Sequence, residues 1–204
     1  ELDVAVMDLE GSIALHPVPA GVRSIAIDAT DEPATMRAFD QLKKSWDGIG
    51  ALVNLAGFTN DQVPTDQVAA EEFDAIVAGS LRSTYLVAKQ ALPMLRAAGG
   101  GTIVHTASGL ANNVRPGFGA YGAAKAGLNN LTRSFAFAFG PKVRVNSIMA
   151  GPFLTDISKA WDMDAFRRRA ETSMALRRGG EAEEVVGAAL YFASSASSFT
   201  TGAI

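Results

Sequence analysis

Tyr121 and Lys125 lie four residues apart in the stretch GAYGAAKAG, positions 119–127, and all the remaining residues of this stretch are glycine or alanine. Residues four apart on a helix share one face, with Cβ atoms about 5–6 Å apart. A phenol has a pKa near 10 in water, and a neighbouring ammonium stabilises its ionised form. We therefore expect Lys125 to lower the pKa of Tyr121. The ordinary alternative is an interfacial tyrosine beside a solvated lysine.

Ser108 precedes Tyr121 by thirteen residues and ends the apolar run TIVHTA. Ligands of open α/β sheets bind at the carboxyl ends of the strands, so a hydroxyl here is placed to meet one. A nucleophilic serine is the competing interpretation, but TASGL lacks the GxSxG elbow, and neither His16 nor His105 has a matching pattern. A hydrolase is disfavoured, and a serine that caps a turn is the structural alternative.

The elements that must position these side chains are short apolar runs alternating with longer helical patterns, which is typical of an α/β fold with a parallel sheet covered on both faces. Strands are predicted at 4–7, 24–27, 51–56, 102–107 and 143–149. Helices are predicted at 32–46, at 66–96 with a kink at Pro93, at 120–139, and after Gly179 and Gly180. The third of these helices is predicted to stop at Gly140 and Pro141.

Composition narrows the class of protein. The 204 residues are 48% hydrophobic and 19% charged, which suits one globular domain with a sizeable core. A net charge of −3 gives no basic field for nucleic acid or an anionic membrane, and no apolar run is long enough to cross a bilayer. The absence of cysteine excludes disulfides and thiolate metal sites, and we expect small-molecule partners and a cytoplasmic location.

The ordered run of motifs resembles the classical short-chain dehydrogenase/reductase family. The matching segments cover nearly the whole chain and are VAVMD (4–8), DATD (28–31), NLAG (54–57), TIVHTAS (102–108), YGAAK (121–125), RVNSIMAGP (144–152) and the closing run from GGEAEEV to TTG. The resemblance implies a single Rossmann-like domain over residues 1–204, with a doubly wound parallel sheet in a three-layer α/β/α arrangement. It also implies an NAD(P)-dependent oxidoreductase.

Residue by residue, the resemblance makes Tyr121 the general acid and base, gives Lys125 a second role at the nicotinamide ribose, and has Ser108 hydrogen-bond the substrate carbonyl. The family's asparagine, which holds a water in a proton relay, falls on Ser80. A serine often bonds the carbonyl four residues back on its own helix, here Ile76, so we expect Ser80 to hold that water less firmly.

Further positions match the cofactor-binding segments of the family. They are Asp8, Asp28, Ala29, Asn54, Ala56, Gly57, Pro152, Phe153 and Thr155, together with Tyr121 and Lys125. A carboxylate at Asp8 can accept hydrogen bonds from the adenosine ribose and repel a 2′-phosphate, which favours NAD over NADP. The alternative for Asp8 is a turn residue, and for Asp28 or Asp31 a helix cap.

Two family segments are missing from the sequence, namely the first strand with its TGxxxGIG loop and the last strand. In the family's sheet order, 3-2-1-4-5-6-7, the absent first strand lies between two others. Its loss would leave buried backbone groups unpaired at about 1–3 kcal/mol each. We therefore expect the sequence to be part of a longer chain.

Residues 156–178 occupy the place of the family's substrate lid, and we expect a mobile cover with an apolar side and Arg167, Arg168 and Arg169 opposite it. Core packing or a subunit contact would give the same pattern. Arg115 and Phe118 are candidates to line the pocket, and His105 is interpreted as a satisfied core histidine. The resemblance also favours a homodimer or homotetramer built from the helices at 66–96 and 120–139.

The resulting hypothesis is an oxidoreductase that moves hydride between NAD(H) and a secondary alcohol or ketone, with Tyr121 handling the proton. The alternatives are a 3-oxoacyl-thioester reductase, a role that in the family usually goes with NADPH, and a catalytically weak nucleotide-binding paralogue. The second is motivated by Ser80 and by the absent glycine loop.

Overall fold

The structure is a computed structural model that describes residues 2–59 and 62–204. It confirms the α/β fold. Five of its strands correspond to the predicted ones, and two short strands follow them. In chain order the strands are β1 (Ala5–Asp8), β2 (Arg23–Ala26), β3 (Ala51–Asn54), β4 (Gly101–Ser108), β5 (Val143–Ala150), β6 (Phe153–Leu154) and β7 (Gly180–Glu181).

All strand pairs are parallel and form three ladders. β1 pairs with β2, β3–β4–β5 form the central ladder, and β6 pairs with β7. The first two ladders follow the 3-2 and 4-5-6 parts of the order that the resemblance implies. In the central ladder Asn54 lies opposite His105, and Ser108 opposite Ala150. The carboxyl ends of β4 and β5 therefore meet at one edge.

Seven α-helices occur among the described residues. They are α1 (Glu10–Leu15), α2 (Glu32–Lys43), α3 (Ala70–Val77), α4 (Ser83–Ala97), α5 (Gly119–Phe139), α6 (Met163–Ser173) and α7 (Val186–Ala193). The sequence pattern did not predict α1. The end of α5 at Gly140 is confirmed.

The single helix predicted over 66–96 is interrupted. A π-helical turn at Ala78–Arg82 separates α3 from α4, and the N–H of Ser83 bonds the carbonyl of Ala78, five residues back. Pro93 lies inside α4, which continues to Ala97, so the helix is not interrupted there and the kink expected at Pro93 stays a prediction. Gly79 and Ser80 lie in this turn, and adjacent glycine and serine are a known site of helix irregularity, but helical periodicity alone continues through them.

The main core lies between the helices and the central strands. Phe39 of α2, Leu95 of α4, and Ile103 and Val145 of the central ladder are each at most 1% exposed. The ladder β1–β2 contributes less, since only Ile25 of its residues is buried. Near the end of the chain, the N–H of Gly202 bonds Val145, and the carbonyl of Ala203 accepts from Ser147, so this segment runs beside β5.

No helix within residues 2–59 and 62–204 has the length and hydropathy needed to span a bilayer.

Candidate active site

Ser108 and Tyr121 meet where β4 ends and α5 begins. Residues 109–111 form a 3₁₀ turn after Ser108, whose side chain accepts a hydrogen bond from the N–H of Leu110 at 3.2 Å. The hydroxyl of Ser108 also lies within hydrogen-bonding reach of the Tyr121 phenol. The turn-capping alternative is therefore present, and the same hydroxyl also lies near the Tyr121 phenol. The hydrogen bond from Ser108 to a substrate carbonyl stays a prediction.

Lys125 lies one turn further along α5 and is only 3% exposed. Its Nζ donates to the carbonyl of Thr106 at 2.7 Å and lies 5.7 Å from the centroid of the Tyr121 ring. The structure thus brings Ser108, Tyr121 and Lys125 together. An ammonium has three N–H groups, so the bond to Thr106 leaves others for a ligand.

The expected lowering of the Tyr121 pKa is wrong for this structure. Burial raises the pKa of Tyr121 above its ordinary value, and the hydrogen bond from Ser108 only partly opposes that. Burial also lowers the pKa of Lys125 to about 8. The close packing that brings the ammonium near the phenol also desolvates the phenol, and desolvation decides the direction of its pKa. At neutral pH the phenol is protonated and Lys125 is still mainly an ammonium.

Small residues around Tyr121 serve helix packing. Ala120 and Ala124 are buried at 4% and 2% exposure, and a Cβ added to Gly122 would lie 3.1 Å from the carbonyl oxygen of Leu110. The stretch therefore lets α5 approach the turn after Ser108 closely, which is what brings the phenol to the serine.

Ser80 does not bond the Ile76 carbonyl as expected. Its hydroxyl accepts from the N–H of Phe58 at 3.0 Å and donates to the carbonyl of Phe58. Ser80 is fully buried, and a Cβ on the preceding Gly79 would lie 2.6 Å from Phe58. The π turn projects Ser80 toward this neighbouring segment, which explains why regular helix geometry predicted the wrong partner.

The segment held by Ser80 continues to Lys125. Gly57 precedes Phe58, and a Cβ there would lie 3.3 Å from the Lys125 Nζ. Ser80 thus fixes the backbone that passes against the ammonium. The described hydrogen bonds of Ser80 go to Phe58 and not to Tyr121 or Ser108. Ser80 is therefore a positioning residue, which holds the segment beside Lys125.

The residues at the end of β3 fit a nicotinamide nucleotide. Asn54 is 6% exposed, its Oδ1 accepts from the N–H of Ala56 at 3.0 Å, and its Nδ2 is buried without a partner in the described part of the chain. An unpaired buried donor is costly, and a ligand can satisfy it. The absence of side chain at Gly57 keeps the space beside Lys125 open. β3 ends at Asn54, two residues before the predicted end.

The two aspartates expected near adenosine are engaged in local turns. Asp8 ends β1, is exposed, and its Oδ1 accepts from the N–H of Leu9 at 2.7 Å. Asp28 accepts from both the N–H and the hydroxyl of Thr30, and these bonds lower its pKa. Asp31 is the N-cap of α2 without a side-chain cap bond. Ala29 packs against the main core.

Pro152, Phe153 and Thr155 lie just beyond β5. The carbonyl of Pro152 accepts from Gly180, Phe153 pairs with Gly180 in the ladder β6–β7, and Thr155 caps a 3₁₀ turn over Asp156–Ala160. They lead directly into residues 156–178.

Residues 156–178 contain that turn and α6. Asp162 caps α6 through the N–H groups of Asp164 and Ala165, and Phe166 is 7% exposed. The arginines do not all lie opposite the apolar side as expected, because the guanidinium of Arg169 lies 5.5 Å from the Phe166 ring centroid. The expected mobility of this segment stays a prediction.

His105 is fully buried on the face of β4 that meets α5. The Thr132 hydroxyl donates to the carbonyl of Leu128 at 2.9 Å, so it accepts from Nδ1–H of His105 at 3.0 Å. Nε2 then carries the lone pair, and it has no partner among the described residues. Burial, with a smaller effect from the charge of Lys125, lowers the pKa of His105 to about 4. His105 was expected to be a core histidine with its hydrogen bonds made, and in the structure only its Nδ1 has a partner.

The sequence analysis missed Thr106 and Phe58, which contact the site through backbone atoms. Side-chain type carries no information about such contacts. Arg169 was assigned to a solvated face because helical periodicity alone does not show which arginine folds over a neighbouring ring.

A family model described as Enoyl-(Acyl carrier protein) reductase matches residues 3–204. The 3-oxoacyl-[acyl-carrier-protein] reductase of Thermotoga maritima is 28% identical over all of this chain and 80% of its own length. The 4-formylbenzenesulfonate dehydrogenase of Comamonas testosteroni is 33% identical over 87% of this chain and 73% of its own length.

A solved short-chain type dehydrogenase/reductase from Mycobacterium ulcerans superposes with a TM-score of 0.86 at 29% identity, covering 98% of this chain and 77% of that one. This chain spans 65 to 83% of the length of eight curated relatives. The family match over nearly every residue and the meeting of Ser108, Tyr121 and Lys125 agree with each other. The chain is an oxidoreductase of the short-chain dehydrogenase/reductase family.

Proposed function

We propose that this protein interconverts a secondary alcohol and a ketone by moving hydride between the carbonyl carbon and NAD(H), with Tyr121 as general acid and base. The observation that carries the proposal is the position of Tyr121, whose phenol lies near the Ser108 hydroxyl and whose ring centroid lies 5.7 Å from the Lys125 Nζ. When bound, the nicotinamide supplies or accepts the hydride. The protein's own residues handle the oxygen and its proton.

In the reductive direction, Ser108 donates a hydrogen bond to the substrate oxygen and Tyr121 gives it a proton. A phenol kept protonated by burial suits that donation. The positive charge of Lys125 stabilises the phenolate that results, and the proton returns from solvent. In oxidation the same groups act in reverse. Thr106 holds Lys125 in place through its carbonyl.

For the nucleotide, we propose that Lys125 and Asn54 hold the nicotinamide ribose side and that Pro152, Phe153 and Thr155 flank the carboxamide. Asp8, Asp28 and Ala29 would receive adenosine, while Ala56 and Gly57 would leave room for the close approach of the cofactor. The exposed carboxylate of Asp8 supports NAD over NADP, because a 2′-phosphate beside it would be repelled. Ser80 belongs to the proposal as the residue that fixes the segment beside Lys125.

A second candidate is a 3-oxoacyl-thioester reductase using NADPH, which the relative from Thermotoga maritima supports. A catalytically weak nucleotide-binding paralogue is the third. Coenzyme choice discriminates between the first two, and turnover separates both from the third. The Comamonas relative supports adding carbonyl compounds with an anionic group to any substrate panel.

The test measures reduced nicotinamide by absorbance. Secondary alcohols are offered with NAD⁺ or NADP⁺, and ketones and 3-oxoacyl thioesters with NADH or NADPH. Turnover of an alcohol–ketone pair with NAD(H), lost in Tyr121→Phe, supports the proposal. Preference for thioesters with NADPH favours the second candidate, and nucleotide binding without turnover on any compound favours the third.

We also propose a cytoplasmic homodimer or homotetramer. Phe73, Tyr85 and Phe137, on α3, α4 and α5, are 44, 42 and 95% exposed, which supports an interface on these helices. Light scattering coupled to size exclusion tests this, and a monomer at micromolar concentration contradicts it.

A further inference from the structure

A row of buried polar side chains crosses the central ladder beneath α5. Asn54, His105 and Ser147 are register partners on β3, β4 and β5, and they are 6%, 0% and 1% exposed. Side chains of register partners project to the same face of a sheet. The bond from His105 to Thr132 identifies this face as the one that packs against α5. Three polar groups therefore lie side by side in the interior.

Only one of the three polar groups has its hydrogen bonds made. The hydroxyl of Ser147 donates to the carbonyl of His105 at 3.3 Å. Over residues 2–59 and 62–204, Nδ2 of Asn54 and Nε2 of His105 are buried and have no hydrogen-bond partner. The two nitrogens consequently do not bond each other directly, although they belong to register partners on strands that lie about 4.7–4.9 Å apart.

The two unpaired nitrogens are complementary, because one is a donor and the other an acceptor. The amide nitrogen of Asn54 carries two N–H groups. Nδ1–H of His105 donates to Thr132, whose hydroxyl itself donates to Leu128, so Nε2 is the acceptor nitrogen. Burial is the main cause that lowers the pKa of His105 to about 4, which keeps the ring neutral at pH 7. A buried donor and a buried acceptor on one face are the partners that an internal water bridges.

We propose that one buried water links Nδ2 of Asn54 to Nε2 of His105, and that His105 thereby positions the Asn54 amide for the nicotinamide nucleotide. The water accepts from one N–H of Asn54 and donates to Nε2, which leaves the second N–H of the amide for the ribose. Oδ1 of Asn54 accepts from the N–H of Ala56 at 3.0 Å, so both ends of the amide are fixed.

His105 is fully buried, so its influence on the nucleotide is exerted through Asn54. The inference rests on the proposed function, since that function assigns the ribose to Asn54. His105 is therefore a positioning residue for cofactor binding, and the chemical step itself does not involve it. The affinity for the nucleotide, and not kcat, is the quantity that its loss should change.

The experiment measures the Kd of NADH by calorimetry and kcat at saturating nucleotide. His105→Leu removes both ring nitrogens, whereas His105→Gln keeps an amide oxygen near the position of Nε2. Ser147→Ala is the matched control, because it removes a buried hydroxyl from the same row and leaves Nε2 in place. We expect His105→Leu to raise the Kd about 3- to 10-fold, as for one lost hydrogen bond, while kcat changes less than about twofold. In His105→Gln and Ser147→Ala the Kd should stay within about twofold of the wild type.

Equal weakening of NADH binding in His105→Leu and His105→Gln would show that ring packing matters and the acceptor does not, which overturns the inference. Equal weakening in Ser147→Ala overturns it too, because the effect would then belong to the whole row. A crystal structure tests the water directly. We expect electron density for a water within about 3.2 Å of both nitrogens. No water there, or a direct bond between the two side chains, contradicts the bridge.

The same measurements separate this inference from the proposed function. The water in place and weaker NADH binding in His105→Leu, without turnover of any alcohol or ketone by the wild type, keep the inference and remove the assigned reaction. Turnover by the wild type, with unchanged NADH affinity in His105→Leu, keeps the reaction and removes the inference. A wild type that binds no NADH overturns both.

Discussion

In the ladder β3–β4–β5, β3 and β4 end in Asn54 and Ser108, and in the ladder β1–β2, β1 ends in Asp8, but the surroundings of these polar ends differ. Four consecutive residues of β4, from Thr102 to His105, are at most 1% exposed, whereas β1 has no buried residue. Lys125 and His105 are correspondingly desolvated, and burial lowers the pKa of Lys125 to about 8 and is the main cause that lowers the pKa of His105 to about 4. Asp8 and Asp28 are instead exposed, and their carboxylates accept hydrogen bonds from Leu9 and Thr30 in their own turns.

This difference in burial suits the two regions to different functions. Desolvation strengthens electrostatic interactions, so the buried region suits charge development at a reacting oxygen. The exposed aspartates interact across high dielectric and suit recognition of a nucleotide, where moderate and reversible binding is sufficient. Substitutions in the buried region should therefore affect rate or stability strongly, and those in the exposed region should affect affinity modestly.

The largest effect is expected for Tyr121→Phe. This change removes only the phenol oxygen, so the ring stays packed while the proton donor disappears. We expect kcat to fall about 10²- to 10⁴-fold, the usual contribution of a general acid or base. Reduced-nicotinamide absorbance gives the rate, and circular dichroism is the folding control. A folded variant with kcat within twofold of the wild type would remove Tyr121 from the chemistry.

The second effect is expected for Ser108→Ala. Loss of one donor to a developing oxyanion costs about 10²- to 10³-fold in kcat. The Leu110 N–H also loses its acceptor, so a small drop in thermal stability accompanies the change. Ser108→Thr, which keeps the hydroxyl, is the matched variant and should recover part of the rate. Equal losses in the two variants would mean that shape, not the hydroxyl, matters at this position.

Much of this buried region could be predicted from the sequence. The strands and α5 follow from apolar runs and their terminators. Ser108, Tyr121 and Lys125 follow from the resemblance of the ordered motifs to a known family, because their spacing alone would not single them out. The sequence could not predict the direction in which the pKa of Tyr121 is shifted, nor the hydrogen-bond partner of Ser80, because both depend on tertiary contacts. Desolvation of the phenol accompanies the close approach of α5 to the turn at Leu110, and Ser80 reaches Phe58 from a π turn that helical periodicity does not reveal.

A third test concerns acid stability. In the unfolded chain His105 binds a proton near pH 6.5, but in the folded protein only near 4, because burial disfavours the imidazolium. As pH falls from 6.5 to 4, the unfolded state takes up this proton first, so the free energy of unfolding should fall by about 3 kcal/mol. Above pH 6.5 the group contributes no pH dependence. Urea unfolding at a series of pH values measures the effect.

His105→Asn should make the unfolding free energy less dependent on pH within that window, whatever it does to the absolute stability. His16→Asn is the control, because it removes the other histidine, whose side chain is 66% exposed. The explanation fails if His105→Asn keeps the full acid slope. It also fails if His16→Asn removes as much of the slope, since the buried position would then carry no special cost.

The smallest effect should come from the exposed region, in Asp8→Ala. Its carboxylate accepts from Leu9 on the surface, so stability should change by less than about 1 kcal/mol. Loss of the hydrogen bonds proposed to the adenosine ribose should raise KM for NAD⁺ about tenfold, while kcat stays near its wild-type value. The change also removes repulsion from a 2′-phosphate, so the KM ratio for NADP⁺ over NAD⁺ should fall. A large loss of kcat here would contradict the division of labour, because it would tie the exposed ladder to the chemical step instead of to nucleotide affinity.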